Sequence, residues 1–240
     1  AILAVICAAD SWVGIESFGQ AKLKWLKRLL ELPNGIPSHD TFARVFARLN
    51  PQQLQQCFLE WVRSLVRLSG GQVIAIDGKT LRQSYDSGDG KGAIHMVSAW
   101  ATQNRLVLGQ CKVDAKSNEI SAIPQLLRTL ALSGCIVTID AMGTQRAIAK
   151  LIVEQEADYV LALKDNHGNL FEDVQQIFNQ AQAADFAGIE HDFDQTVDKG
   201  HGRVERRRCW TMGQVEFLIN AHQWTKFTSI GMVQTERRFD

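Results

Sequence analysis

Val73-Ile74-Ala75-Ile76-Asp77-Gly78-Lys79-Thr80 is an apolar run that ends in an acid and a glycine. Cys135-Ile136-Val137-Thr138-Ile139-Asp140-Ala141-Met142-Gly143 is written in the same grammar, its acid 140 − 77 = 63 positions later. Short runs of β-branched and apolar residues bounded by glycine form buried core strands more readily than helices. Each is therefore read as a strand whose last residue is a carboxylate. Two such strands set side by side bring two acids to the mouth of a sheet, where water and ligand reach them, as a metal-dependent phosphoryl-transfer site requires. Either motif alone is equally well read as a strand-end turn, since Asp-Gly is a common turn pair.

Upstream of the first strand the pattern is helical. Ile2 to Ala9, Ser17 to Leu32, Phe42 to Leu49 and Pro51 to Leu68 carry apolar residues at helical spacing, with Pro33-Asn34-Gly35 and Ser69-Gly70-Gly71 as terminators. The Gly-Ile-Pro-Ser turn between two of these helices is compatible with a DNA-reading helix-turn-helix. It is equally compatible with a helical cap, because Arg44 and Arg48 are the only basic residues on the reading helix. Downstream, Ala93 to Thr102 and Arg105 to Asp114 form a hairpin through Gln103-Asn104. A helix from Glu119 to Leu132, interrupted early by Pro124, leads to the Asp140 strand. Then come a helix from Thr144 to Gln155, a strand from Tyr159 to Leu163 and a helix from Asn169 to Ala184. Three consecutive strands followed by alternating helices and strands give an α/β layer with an antiparallel start and a parallel remainder. This is the ribonuclease-H-like order, a mixed sheet flanked by helices whose first and fourth strands are adjacent and carry acids. Residues 192 to 235 alternate and are rich in Trp, Phe, Val and Ile, with strand-like runs at Val215 to Asn220 and Ser229 to Gln234. The expected parts are a helical region over 1–71, a core over 72–184 and a β-rich insertion over 185–240.

Composition sets the frame for these elements. At 240 residues and 45% hydrophobic the chain can bury a substantial core. Lys plus Arg and Asp plus Glu both number 26, so any contact with DNA must come from local patches. The five cysteines are scattered, with no Cys-x-x-Cys, as expected of reduced thiols in a cytoplasmic protein. The six histidines show no ligand spacing. Ile2 to Ala9 is too short to span a bilayer and lacks the flanks of a signal peptide, so no membrane association is expected. The chain opens without a methionine and stops after a strand-like run, which reads as a piece of something longer.

Two carboxylates at strand ends suit Mg²⁺ or Mn²⁺, hard ions that prefer oxygen, and two such ions can serve a phosphodiester displacement. Other chemistries fit less well. The strand-end Asp-x-Asp-Gly-Thr of dehalogenase-like phosphatases would place its nucleophile at Ala75, which has no carboxylate. Gly88-Asp89-Gly90-Lys91-Gly92 resembles a phosphate loop in composition only, since it precedes a strand. Between Lys199 and Arg208 five basic residues face one acid, a local patch able to contact phosphates or simply a solvated strand face.

Longer segments carry a resemblance. Glu31-Leu-Pro-Asn-Gly-Ile-Pro-Ser-His-Asp-Thr-Phe42, Val73 to Arg82, Gly92-Ala-Ile-His-Met-Val-Ser-Ala99, Lys116-Ser-Asn-Glu-Ile120, Thr138-Ile-Asp-Ala-Met-Gly143 and Asp158-Tyr-Val-Leu-Ala-Leu-Lys164 together resemble the H-repeat-associated branch of DDE transposases. The resemblance implies a ribonuclease-H-like catalytic core behind a helical associated region. It also implies metal-dependent cleavage and strand transfer of DNA, with Asp77 and Asp140 as metal-binding catalytic acids and two Mg²⁺ or Mn²⁺ ions in the complete site. The active form would be a homo-oligomer acting on element ends and target, with no small-molecule cofactor. Similar proteins carry the third acid in a late His-Trp-x-Ile-Glu-Asn-like helix that this sequence lacks, so a catalytically incomplete, at most DNA-binding or self-associating protein is the alternative. Glu205, in His201 to Arg208, is the substitute candidate. Lys164, Asn166, Arg203, Arg206, Arg207 and Arg208 are the candidate DNA contacts, although Lys164-Asp165-Asn166-His167 departs from the Lys-Gly-Asn-Gln of similar proteins and adds a negative charge.

Overall fold

The computed structural model describes residues 1–65, 70–80, 95–113, 119–200, 202–213, 215–218 and 220–239. The Ser84–Lys91 loop, the Gly88–Gly92 run and His201 lie outside them. The chain forms two compact units, Ala1–Ser64 and Leu65–Asp240.

The first unit is helical: α1 (Ile2–Ile6), α2 (Trp12–Ala21), α3 (Leu23–Leu26), α4 (His39–Phe46) and α5, which begins at Pro51 and runs to Leu65. Capping sets the starts. Ser11 Oγ accepts from Gly14 N at 3.1 Å, and Asn50 Oδ1 accepts from Gln53 N at 3.0 Å ahead of Pro51, whose missing N–H costs nothing at a first-turn position. The single helix expected over 17–32 is instead two, because the backbone at Lys22 (φ −105°, ψ 14°) leaves helical geometry. Beyond Leu26 only turns follow, and the twelve residues 27–38 separate α3 from α4. A helix-turn-helix needs a connection of about 3–4 residues, so these two helices do not form one. What holds α4 to α2 is partly a ring contact, Trp12 to Phe46 with centroids 5.1 Å apart, and partly Glu16. Its carboxylate accepts from His39 N at 2.8 Å and lies 2.7 Å from His39 Nδ1. At Gly19 a Cβ would stand 2.7 Å from Ile36 Cγ2, so the close approach of α2 to the chain before α4 requires glycine.

The second unit opens on a five-stranded sheet of order β3-β2-β1-β4-β5. Its strands are β1 (Val73–Thr80), β2 (His95–Ala101), β3 (Leu106–Val113), β4 (Ile136–Ile139) and β5 (Asp158–Leu161). The first three are antiparallel, and β4 and β5 run parallel to β1. This is the ribonuclease-H-like arrangement. Arg105, at φ +53°, closes the β2–β3 turn. Helices α6 (Glu119–Arg128) and α7 (Arg146–Glu154) cover one face. Alternation sends Ile74, Ile76, Val97, Ala99, Val137 and Ile139 to that face, all buried, against Ile123, Leu126, Leu127, Ile148 and Ile152. Each fully buried aliphatic side chain contributes about 1.5–3 kcal/mol. Pro124 does not interrupt α6, which is continuous through it. The opposite face is less covered: Trp100 and Val160 are exposed there, so the apolar strands are buried on one side and only partly on the other.

Helix α8 (Asn169–Ala183) leads to a second, antiparallel sheet of β6 (Asp192–Gly200), β7 (Arg203–Met212) and β8 (Ile230–Phe239), in the order β6-β7-β8. Phe178 and Ala181 of α8 form a core with Phe186, Met212, Val215, Leu218 and Ile230. The strand expected at 215–220 is absent, because Val215 and Leu218 turn inward to seal this core and the described residues there form turns. The turn segment also reaches the first sheet: Tyr159 Oη donates to Thr225 O at 2.8 Å, and Lys226 Nζ lies 2.5 Å from Asp158 Oδ1. All five cysteines are free, and among the described residues no helix is long and apolar enough to cross a membrane.

The Glu16–His39 contact gives a titration prediction. Its hydrogen bonds from the His39 amide and ring hold the Glu16 carboxyl below its ordinary value, and the same carboxylate, with Asp40 adding charge, raises the His39 imidazole. The pair is fully formed between the ordinary carboxyl and imidazole values, roughly pH 4.5 to 6.5. Its contribution is lost as pH rises through the folded His39 value or falls through the folded Glu16 value. An NMR titration of the intact chain should place the His39 midpoint above 6.5, and Glu16→Gln should lower it. An unchanged midpoint in the variant would show that the contact is not formed in solution.

Candidate functional site

The parallel pairing of β1 with β4 sets Val73 beside Ile136, Ile74 beside Val137, Ala75 beside Thr138 and Ile76 beside Ile139. Asp77 and Asp140 are each the next residue, on neighbouring strands that run about 4.8 Å apart. Ile76 and Ile139 are both buried on the helix-covered face. By alternation Asp77 falls on the open face, and Asp140, one step past Ile139, leaves β4 on the same side. Two carboxylates of one chain thus sit at equivalent positions on the same side of the sheet.

Their surroundings differ. The strand expected to end at Asp77 continues to Thr80, because β2 goes on pairing where β4 stops: Asp77 is opposite Ser98 and Thr80 opposite His95. Asp77-Gly78 is therefore extended strand and not a turn. The Asp77 side chain is 55% exposed, and Lys79 Nζ, two residues on and on the same face, lies 3.1 Å from its Oδ2. Asp140 instead leaves the sheet and caps a single 3₁₀ turn, Ala141–Gly143, with its Oδ1 accepting from Met142 N at 3.2 Å.

That turn is fixed from two sides. A Cβ at Gly143 would stand 2.8 Å from Ile123 Cδ1 and collide with Ile139 Cγ2, so only glycine lets the turn settle on the core. From the other side come Lys164 to His167, which follow β5. Asn166 Nδ2 donates to Ala141 O at 3.4 Å, and His167 Nε2 lies 3.2 Å from Thr144 O. Thr144, itself buried, donates its hydroxyl to Ala162 O at 2.6 Å, joining the end of the turn to β5. Asn166 and Lys164 are thus brought beside the Asp140 turn, with both side chains exposed. Sequence reading missed His167 and Thr144 as the groups that brace this turn. Neither has a spacing signal, since each acts across about twenty residues onto a backbone carbonyl.

Glu205 lies in the second sheet, on its central strand. Its side chain is 5% exposed and ion-paired with Arg207 and with Arg237 Nε at 2.7 Å. The hydrogen bond from Arg237 and the nearby charges of Arg207, Arg237 and Arg203 hold its carboxyl below the ordinary value. Its oxygens are therefore committed to guanidinium groups. Among the described residues no group of three His, Cys, Asp or Glu side chains could hold a metal ion.

The run of basic residues after Lys199 is also altered by folding, because neighbouring strands bring acids to it. Arg206 and Arg208 lie 3.7 and 4.0 Å from Glu236 of β8, and Arg207 lies 3.7 Å from Asp198 of β6. Alternation places Arg206 and Arg208 on one face of the sheet and Arg203 and Arg207 on the other. Arg203 forms no ion pair among the described residues.

Comparison with known proteins bears on this geometry. The family described as "Transposase DDE domain" matches residues 68–182, and the family described as "DDE_Tnp_1-associated" matches residues 1–62. "Putative transposase YncI" of Escherichia coli (strain K12) is 46% identical over 206 residues, covering 86% of this chain and 82% of the relative. "H repeat-associated putative transposase YbfD" of the same strain is 43% identical, covering 86% of this chain and 80% of the relative. "H repeat-associated putative transposase YhhI" is 45% identical over the same share of this chain but only 54% of its own length.

Gly143→Ala tests the packing that sets Asp140. Overpacking of this kind costs about 1–3 kcal/mol, so the variant should melt at a lower temperature than the unaltered chain. Wild-type stability in the variant would show that the turn has room to spare.

Proposed function

This chain belongs to the DDE transposase family, in its H-repeat-associated branch, and we propose that Asp77 and Asp140 form the metal-binding half of a site that cleaves DNA phosphodiesters and transfers the strand. The observation that carries this reading is the shared register: both acids directly follow Ile76 and Ile139, which face each other across the parallel β1–β4 pair. Carboxylate oxygens suit a hard divalent cation such as Mg²⁺ or Mn²⁺. The Lys79 ammonium, 3.1 Å from Asp77, is a cation already resting against one of them. When bound, the divalent ions supply Lewis-acid stabilisation to the attacking and leaving oxygens.

The chain's own residues do the rest. Asp77 offers its oxygens from a position held by β2, one residue past the end of the pairing with β4. Asp140 offers one oxygen outward while the other keeps the Met142 amide, which orients the carboxyl. Lys79, displaced from Asp77, is within a side chain's reach of a substrate phosphate and would neutralise it. Lys164 and Asn166, beside the Asp140 turn, would contact the DNA backbone, with Arg203 as a further contact. In this reading residues 1–71 are the associated helical region, 72–184 the catalytic core and 185–240 the β-rich insertion. The working form is a homo-oligomer on DNA ends.

A second reading is favoured by one observation. Among the described residues no group of three His, Cys, Asp or Glu side chains could hold a metal ion, and Glu205 is held by arginines. The chain would then bind DNA or itself without cutting. Mn²⁺-dependent nicking of supercoiled plasmid separates the two. Nicking by the chain, lowered ~10²-fold or more by Asp77→Asn and by Asp140→Asn, the scale of losing one electrostatic stabiliser, supports the first reading. Nicking retained in either variant overturns the assignment of that acid. Binding without nicking by the unaltered chain supports the second.

A further inference from the structure

Lys22, Lys24, Lys27 and Arg28 place four cations within seven residues, with Glu31 the first acid to follow. All four are exposed, and none forms an ion pair among the described residues. The contrast with the second sheet is direct, since Arg206, Arg207, Arg208, Arg237 and Arg238 are all engaged by Asp198, Glu205 or Glu236. A guanidinium already paired gains little from a phosphate, because it must first give up its carboxylate. An unpaired, hydrated ammonium releases counterions from the polyanion it meets.

The segment is also held in shape. Leu26 N bonds to Lys22 O at 2.9 Å, Lys27 N to Leu23 O at 3.0 Å and Leu30 N to Leu26 O at 2.9 Å, so helical turns continue through it. Leu26 is buried and anchors the inner side. Residues three and four apart share a face on such turns, which groups Lys24 with Lys27 and Arg28 on the outer side. Trp25, 44% exposed, lies between these cations in sequence. It offers an aromatic face to a base or sugar at no cost in further ordering.

We propose that Lys22 to Arg28 form a docking surface for the phosphate backbone of DNA. The cation cluster stands on geometry and charge alone; naming DNA as the polyanion rests on the transposase reading above.

The test is fluorescence anisotropy of a labelled 20-base-pair duplex of arbitrary sequence against the intact chain over a salt series. Lys24→Gln with Arg28→Gln should reduce the slope of log K against log salt by about 2, since each lost phosphate contact removes ~0.9. Arg207→Gln should leave the slope unchanged. Far-UV circular dichroism of the variants, whose altered side chains are exposed, confirms that folding is retained. Equal slopes for the unaltered chain and the Lys24/Arg28 variant overturn the docking surface while leaving DNA as a partner. No binding of duplex by the unaltered chain overturns both the surface and the DNA-acting reading. Loss of binding to phosphatidylserine vesicles in the double variant, with duplex binding intact, assigns the segment to a membrane surface and overturns the proposal.

Discussion

Four residues of parallel pairing between β1 and β4 hold the rest of the site in place. Side chains alternate along a strand with a period of two, so a slip of one residue in either strand would send its acid to the helix-covered face. That slip is opposed by the burial of Ile74, Ile76, Val137 and Ile139, each 5% exposed or less. Burying an ionised carboxylate among them without a partner is far more costly than the loss of one apolar contact. The register that fills the core is therefore the register that pairs the acids. Everything further out, including the Asp140 turn, its glycine and the bracing from Asn166 and His167, refines a position that the core has already chosen.

Charge is arranged differently in the two units of this formally neutral chain. In the second sheet opposite charges are matched across strands, and Glu205 sits buried between Arg207 and Arg237. Cross-strand pairs of this kind stabilise the sheet modestly and leave little net field on its faces. In the helical unit the cations at 22 to 28 stay unmatched. A composition of 26 basic and 26 acidic residues conceals this separation, since it sums over neighbours and non-neighbours alike.

Much of the second unit was legible because its signals are local. Apolar runs bounded by glycine gave β1 and β4 and the two acids, and the order of elements gave the sheet. What the sequence did not convey depends on partners distant along the chain. Asp77 lies mid-strand because β2 continues past the end of β4, and nothing near Asp77 says so. Val215 to Leu218 alternate like a strand, yet Val215 and Leu218 are drawn into the core under α8. The arginines after Lys199 looked uncompensated because Asp198 and Glu236 reach them only across the sheet. Pro124 carries a break signal, but α6 passes through it.

The central claim is that Asp77 and Asp140 together hold divalent metal. Iron-mediated backbone scission tests it most directly: Fe²⁺ is bound to the intact chain, ascorbate and peroxide are added, and the cut sites are mapped by mass spectrometry. The account predicts cuts near both residue 77 and residue 140, suppressed together by excess Mg²⁺ and together by either single substitution of aspartate to asparagine. Cuts at one position only, or at neither, would contradict it.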